Sequence, residues 1–140
     1  METNRSLVFA VIIILLVAFA VGCSREAASA PAEQTNQQTA LPDRDPALAH
    51  KLVGEGAVLL DVRTVDEYAE RHLDKAVNIP VDKLNAQMTE IEKLTSGDKT
   101  KPIVVYCQAG GRAGRAKSML AAAGYTKVTN LGGIDDWDKK

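Results

Sequence analysis

One of the two cysteines, Cys107, ends the apolar run 102–107. The next five residues form a short stretch with two glycines and one cation: Gln108, Ala109, Gly110, Gly111 and Arg112. Paired glycines let the backbone curl and direct amide N–H groups toward one centre, and a following helix would add its positive end. This spacing predicts a cradle around the Cys107 thiolate, the nucleophilic form of a thiol. The same cradle would stabilise a persulfide anion or an oxyanion carried on sulfur.

The strands that must hold this loop are predicted from continuous apolar runs. Two such runs occur, at 57–62 and 102–107, and two shorter strand-like stretches lie at 76–80 and 127–131. Apolar runs of this length, without alternation, are typical of strands buried on both faces of a parallel sheet. In an open parallel sheet, ligands bind beyond the carboxyl ends of the strands. Cys107 is therefore expected at the edge of the sheet where binding sites form.

Helical patterns fill the intervals between these runs. One covers 46–56, and a second begins at Thr64, which forms a capping-box pattern with Glu67. Spacings of three and four predict one apolar helix face, made of Val81, Leu84, Met88, Ile91 and Leu94. The alanine-rich stretch 113–124 predicts the fourth helix. This alternation predicts an α/β fold with a mainly parallel central sheet flanked by helices.

The amino-terminal region has a different character. Its apolar run 7–21 has 15 residues, which suits the h-region of a signal peptide, because a membrane span usually needs about 20. Residues 20–23 read AVGC and resemble a bacterial lipobox with Cys23 as the lipidated residue, although Ala20 stands where leucine is usual. We predict a signal peptide at 1–22, the alternative being an uncleaved anchor. Both tether the chain to a membrane of the bacterial cell envelope, facing the periplasm or the cell exterior.

The composition of the remaining chain divides it into two parts. Residues 23–45 are rich in alanine, glutamine, threonine and proline, which predicts a flexible linker because so little apolar surface can be buried. Residues 46–140 are enough for one folded domain with a modest core, expected to be a monomer. The formal net charge of -1 argues against nucleic acid as a partner. The sequence lacks the clustered ligands typical of a metal site, and we predict no metal and no other cofactor.

Three segments, in order, resemble the rhodanese-homology domain. They read LLDVRTVDEYAERHLDKAVNIP at 59–80, VVYCQAGGRA at 104–113 and LGGIDDW at 131–137. Members of that family move sulfane sulfur from a donor to a thiophilic acceptor through a cysteine persulfide. The resemblance implies the rhodanese-like fold and a sulfurtransferase of the thiosulfate sulfurtransferase type.

The resemblance also implies roles for individual residues. Cys107 is the expected catalytic residue, and the substrate-binding loop comprises Gln108, Ala109, Gly110, Gly111 and Arg112. Arg115, one helical turn further on, is either part of an anion-attracting rim or a residue on a solvated helix face. Asp61 and Arg63 match a pair that is mostly structural, and His72 is expected to be a structural hydrogen-bonding residue.

Loop length separates the chemistries that this fold supports. Sulfurtransferases of the family have six-residue loops, whereas phosphatases have seven because phosphate is larger than a sulfur atom. The loop from Cys107 to Arg112 has six residues. Sulfur transfer is therefore favoured over a small phosphatase or arsenate reductase, and a non-catalytic sulfur-carrier or binding module is a further alternative. The expected partners are a small sulfur donor, either thiosulfate or a persulfide, and a thiol, cyanide or partner protein as acceptor.

Overall fold

A computed structural model of the chain describes residues 40–139. Its four strands are β1 (Val58–Asp61), β2 (Val77–Asn78), β3 (Ile103–Cys107) and β4 (Val128–Gly133). They form one sheet in the order β2-β1-β3-β4, and every neighbouring pair is parallel. The predicted α/β fold with a parallel sheet flanked by helices is confirmed.

Helices connect the strands as the alternation predicted. They are α1 (Pro46–Gly54), α2 (Val65–Glu70), α3 (Met88–Thr95) and α4 (Gly111–Ala122), and a short 3-10 helix (Ile134–Asp136) follows β4. The capping box at the start of α2 is present, since the Thr64 side chain accepts from the Glu67 N–H and the Glu67 side chain accepts in return. No helix among residues 40–139 is long and apolar enough to cross a membrane.

Two helices start at residues other than those predicted. The helix predicted from Val81 begins only at Met88, and the residues before it form turns. The Val81 N–H donates to the Val62 carbonyl at 3.2 Å and holds this stretch against the end of β1, and the Lys83 N–H donates to the Pro80 carbonyl at 2.8 Å, which closes a turn. Leu84 is nevertheless fully buried, so the periodic pattern reflected burial rather than helix. At the other boundary, α4 begins at Gly111, earlier than expected, because Gly110 serves as its N-cap.

The core lies on both faces of the sheet. Successive strand residues point to opposite faces, so Leu60 and Val105 pack on one side with α3 and α4. Leu59 and Val104 pack on the other side with α1. All residues of β1 and β3 are buried, which confirms the prediction made from their continuous apolar runs.

The segment before α1 covers the outer edge of β4 without forming a strand. Thr129 donates its hydroxyl to the Pro42 carbonyl at 2.6 Å, and the Arg44 N–H donates to the Asn130 carbonyl at 2.8 Å. Asp43 accepts from the Asn130 N–H at 2.9 Å. Part of the predicted linker thus lies along the sheet. The predicted signal peptide at 1–22 and the Cys23 lipidation site fall outside the described residues.

Candidate active site

Cys107 lies at the carboxyl end of β3, between β1 and β4. Its side chain is buried, with 1% of the residue exposed, and its Sγ accepts the Gly110 N–H at 3.0 Å. Because β3 is an inner strand, the backbone that carries the thiol is held by ladder hydrogen bonds on both sides. The sulfur is therefore presented to the loop from a rigid position.

The loop after Cys107 passes directly into α4. Gln108 and Ala109 are exposed, whereas Gly110 is buried. Gly110 has a left-handed backbone with φ of 92°, which glycine adopts without steric cost. A Cβ at this position would lie 2.9 Å from Nη2 of Arg44 and 3.2 Å from Cα of Gly132. Both conformation and space therefore require glycine here.

Arg112, in the first turn of α4, forms an ion pair with Glu67. Its two terminal nitrogens donate to the two carboxylate oxygens of Glu67 at 2.6 Å each. The Arg112 guanidinium lowers the pKa of Glu67 from 4.5 to about 2. The pKa of Arg112 is raised, chiefly by its hydrogen bonds to Glu67 and to a smaller extent by Cys107. The positive charge of Arg112 is thus balanced by the Glu67 carboxylate.

The sequence analysis recognised Glu67 only as a helix cap. Its partner Arg112 lies 45 residues further along the chain. No local spacing could have revealed this contact, which depends on how β1 and β3 pair.

Asp61 and Arg63 form a buried ion pair at the end of β1. The Arg63 Nη2 donates to Asp61 at 2.6 Å and to the Arg71 carbonyl at 2.5 Å. Asp61 raises the pKa of Arg63. Asn78 of β2 donates to the carbonyls of both members of the pair. These contacts join the end of β1 to β2 and to the segment after α2, as a structural pair would.

The other predicted residues lie on the surface. Arg115 is exposed on α4 and forms no ion pair with any residue of 40–139. Nδ1 of His72 lies 2.9 Å from the Tyr68 carbonyl, and its ring stacks on Tyr68. Among residues 40–139, no three His, Cys, Asp or Glu side chains are grouped to hold a metal ion.

Two residues that the sequence analysis did not single out contact the loop. Nδ2 of Asn130 donates to the Gly110 carbonyl at 3.1 Å. The guanidinium of Arg44 lies against Gly110 from the side of the amino-terminal segment. Both residues come from the edge formed by β4 and the segment before α1, so only the folded chain brings them to the loop.

Comparison with known proteins decides the family. A profile of the Rhodanese-like domain matches residues 45–140. The chain belongs to the rhodanese-like domain family. Its curated relatives include the thiosulfate sulfurtransferase PspE of Escherichia coli (strain K12), which is 36% identical over 77 residues. That match covers 55% of this chain and 70% of PspE.

A second group of relatives is much longer than this rhodanese-like protein. The tRNA uridine(34) hydroxylase of Cronobacter sakazakii is 34% identical over 85 residues, which cover 60% of this chain but 24% of the hydroxylase. The matched residues therefore span about a quarter of that enzyme's length.

Solved structures share the fold. A rhodanese from E. coli, determined with anions, is 35% identical and superposes with a TM-score of 0.51, covering 57% of this chain and 89% of the rhodanese. The human single-domain sulfurtransferase TSTD1 is 28% identical with a TM-score of 0.56, covering 72% of this chain and 95% of TSTD1. The rhodanese-like fold is thus supported from sequence and from structure.

Proposed function

We propose that this rhodanese-like domain is a sulfurtransferase that carries sulfane sulfur on Cys107. The observation that carries the proposal is the hydrogen bond of 3.0 Å from the Gly110 N–H to Sγ of Cys107, at the start of α4. An amide N–H and a helix N-terminus both favour negative charge on the sulfur. They would also favour negative charge on the outer sulfur of a persulfide. The relatives named as sulfurtransferases support the same chemistry.

The transfer has two balanced half-reactions. In the first, the Cys107 thiolate attacks the outer sulfur of the donor, the donor's S–S bond breaks, and sulfite or a thiolate leaves with the electron pair. Cys107 then holds a persulfide anion. In the second, a thiolate or cyanide attacks the outer sulfur, and the Cys107 thiolate is released. Because Cys107 is the only cysteine of the described residues, the acceptor is expected to be a separate molecule.

Arg112 is proposed to meet an anionic donor. The pair with Glu67 uses two of the five N–H donors of the guanidinium. The others remain available to a thiosulfate or persulfide anion that approaches Cys107. Gln108 and Ala109 bring no charge to the loop, so Arg112 is the loop residue that distinguishes anionic from neutral donors.

Sulfur loading tests this proposal directly. The full chain is incubated with thiosulfate or with glutathione persulfide, and its intact mass is measured. We expect the mass of one added sulfur atom, its loss on addition of cyanide, and no gain for Cys107→Ser. Cys23→Ser is the matched cysteine control and should load normally. Loading that persists in Cys107→Ser, or a wild-type chain that never loads, would refute the assignment.

We also propose that the domain is tethered to the bacterial cell envelope through Cys23. The support is the apolar run at 7–21 and the AVGC residues at 20–23, which overlap its end. An acylated cysteine would hold the active site on the periplasmic or outer side of a membrane, and stable anchoring needs more than one acyl chain. Mass spectrometry of the purified chain should find an acylated amino terminus at Cys23. A chain that retains residues 1–22 would contradict this and favour the uncleaved anchor.

A further inference from the structure

We propose that Asn130 is a positioning residue that holds the active loop in the conformation that aims the Gly110 N–H at Cys107. Asn130 touches neither the sulfur nor a substrate, and it acts through Gly110. The inference rests on the proposed role of Cys107, but its test does not depend on sulfur transfer.

The Asn130 side chain joins the loop to β4 with both of its polar atoms. Nδ2 donates to the Gly110 carbonyl at 3.1 Å, and Oδ1 accepts the Gly132 N–H at 2.9 Å. Asn130 is 7% exposed, so water competes little for either hydrogen bond. A buried amide with both ends engaged has one orientation, since any rotation would leave a polar group unsatisfied.

A β-bulge fixes Asn130 itself. Along β3 and β4, Val105 pairs with Asn130 but Tyr106 pairs with Gly132, so Leu131 is the extra residue. The Asn130 Oδ1 spans this bulge by accepting the N–H of Gly132, two residues further along the chain. Asparagine side chains make the same kind of contact in turns. The main-chain N–H and carbonyl of Asn130 are held by the segment before α1. The side chain therefore projects from a backbone whose N–H and carbonyl both have hydrogen-bond partners.

The loop needs such a constraint because Gly110 and Gly111 are adjacent. Glycine adopts positive and negative φ with similar ease, and in the observed conformation the Gly110 N–H is directed to Sγ of Cys107. That conformation has φ of 92° and ψ of -19°. A change of φ would turn the Gly110 carbonyl away from Nδ2 of Asn130 and from the Gly114 N–H, which donates to it at 2.9 Å. The two donors therefore select the conformation that serves the sulfur.

Asparagine has the side chain that this position requires. The site needs a donor that reaches the Gly110 carbonyl and an acceptor that reaches the Gly132 N–H, both at the end of one short side chain. An aspartate side chain would keep the acceptor but would present an oxygen to the Gly110 carbonyl, so N130D removes the loop contact selectively. N130S keeps a hydroxyl beside the Gly132 N–H but is too short to reach Gly110, and it provides a second variant without added charge.

The matched control is Thr129→Val. Thr129 is the preceding residue of β4, is 2% exposed, and donates its hydroxyl to the Pro42 carbonyl. Its removal costs one hydrogen bond of the same strand, and the bond that is lost joins Thr129 to Pro42 rather than to the loop. Loss of stability alone would therefore affect this variant as much as the Asn130 variants.

The experiment compares amide exchange and sulfur loading in the full chain. For N130D and N130S we expect exchange of the Gly110 amide about tenfold faster or more, and a sulfur-loading rate about tenfold lower, for the loss of one aligned hydrogen bond. In Thr129→Val, the Gly110 exchange rate and the sulfur-loading rate should each stay within about twofold of wild type, since the hydrogen bond that it loses does not join the loop. Thermal unfolding of each variant is recorded in parallel.

The exchange measurement decides the proposal. Exchange at Gly110 in both Asn130 variants that equals that of Thr129→Val would overturn the positioning role. If the wild-type chain loads no sulfur at all, the proposed function fails, and Gly110 exchange still tests the role of Asn130. If N130D does not fold, N130S gives the same comparison.

Discussion

Replacing Glu67 with glutamine should make the chain less stable at neutral pH. It should also reduce the loss of stability that the chain shows as the pH falls. Solvent reaches 29% of the Glu67 side chain and 34% of the Arg112 side chain. The pKa of Glu67 falls from 4.5 to about 2, chiefly because of Arg112. At about 1.4 kcal/mol per pH unit this sets an upper limit of about 3 kcal/mol. Solvent screening at this exposure reduces the expected contribution to about 1–2 kcal/mol.

The sign of the pH effect follows from the direction of the pKa shift. The pKa of Glu67 in the folded chain is below its ordinary value of 4.5. The unfolded chain therefore binds a proton first as pH falls, and the stabilisation, complete above pH 4.5, is lost progressively toward pH 2. Glutamine cannot ionise, so Glu67→Gln should be less stable at pH 7 by about 1–2 kcal/mol and equal to wild type near pH 2.

Urea unfolding of both chains between pH 2 and pH 7 measures this difference. Other carboxylates titrate alike in both chains, so subtraction isolates Glu67. Glu90→Gln is the matched control, because Glu90 pairs with Lys93 on an exposed surface where such pairs contribute little. A stability difference between wild type and Glu67→Gln that does not change with pH would refute the reasoning. A pH-dependent loss of stability of the same size in Glu90→Gln would show that general surface charge is responsible, rather than the pair of Glu67 and Arg112.

Three further substitutions test the site. Gly110→Ala should lose about 2 kcal/mol, from left-handed strain and from contact with Gly132, and should load sulfur more slowly; unchanged urea unfolding would contradict the loop geometry. Arg112→Ala should lower kcat/KM for thiosulfate about tenfold, the effect of one charge-assisted contact; a wild-type value would show that the guanidinium does not meet the donor. Asp61→Asn should cost about 3 kcal/mol in urea unfolding by leaving buried Arg63 without its anion, and Asp61→Asn with Arg63→Met should recover part of it.

Several features were determined by the sequence alone, because they depend on neighbouring residues. The continuous apolar runs that became β1 and β3 require burial on both faces, and only an inner position of a covered sheet provides it. The Thr64–Glu67 capping box is a contact across three residues. The position of Cys107 at the end of a strand and before a helix is likewise a local property. These features placed the thiol at the binding edge of the sheet.

Other features were decided only by tertiary structure. Glu67 follows β1 and Arg112 follows β3, and they meet because these strands pair in parallel, which brings both strand-to-helix connections to the same edge. Asn130 reaches Gly110, 20 residues earlier, because β4 lies beside β3 and carries a bulge. The turns before Met88, where a helix was predicted, are likewise held by a distant contact, since the Val81 N–H donates to the Val62 carbonyl. Local patterns specify which residues are buried and where helices start, but strand order and register decide which distant polar groups become partners.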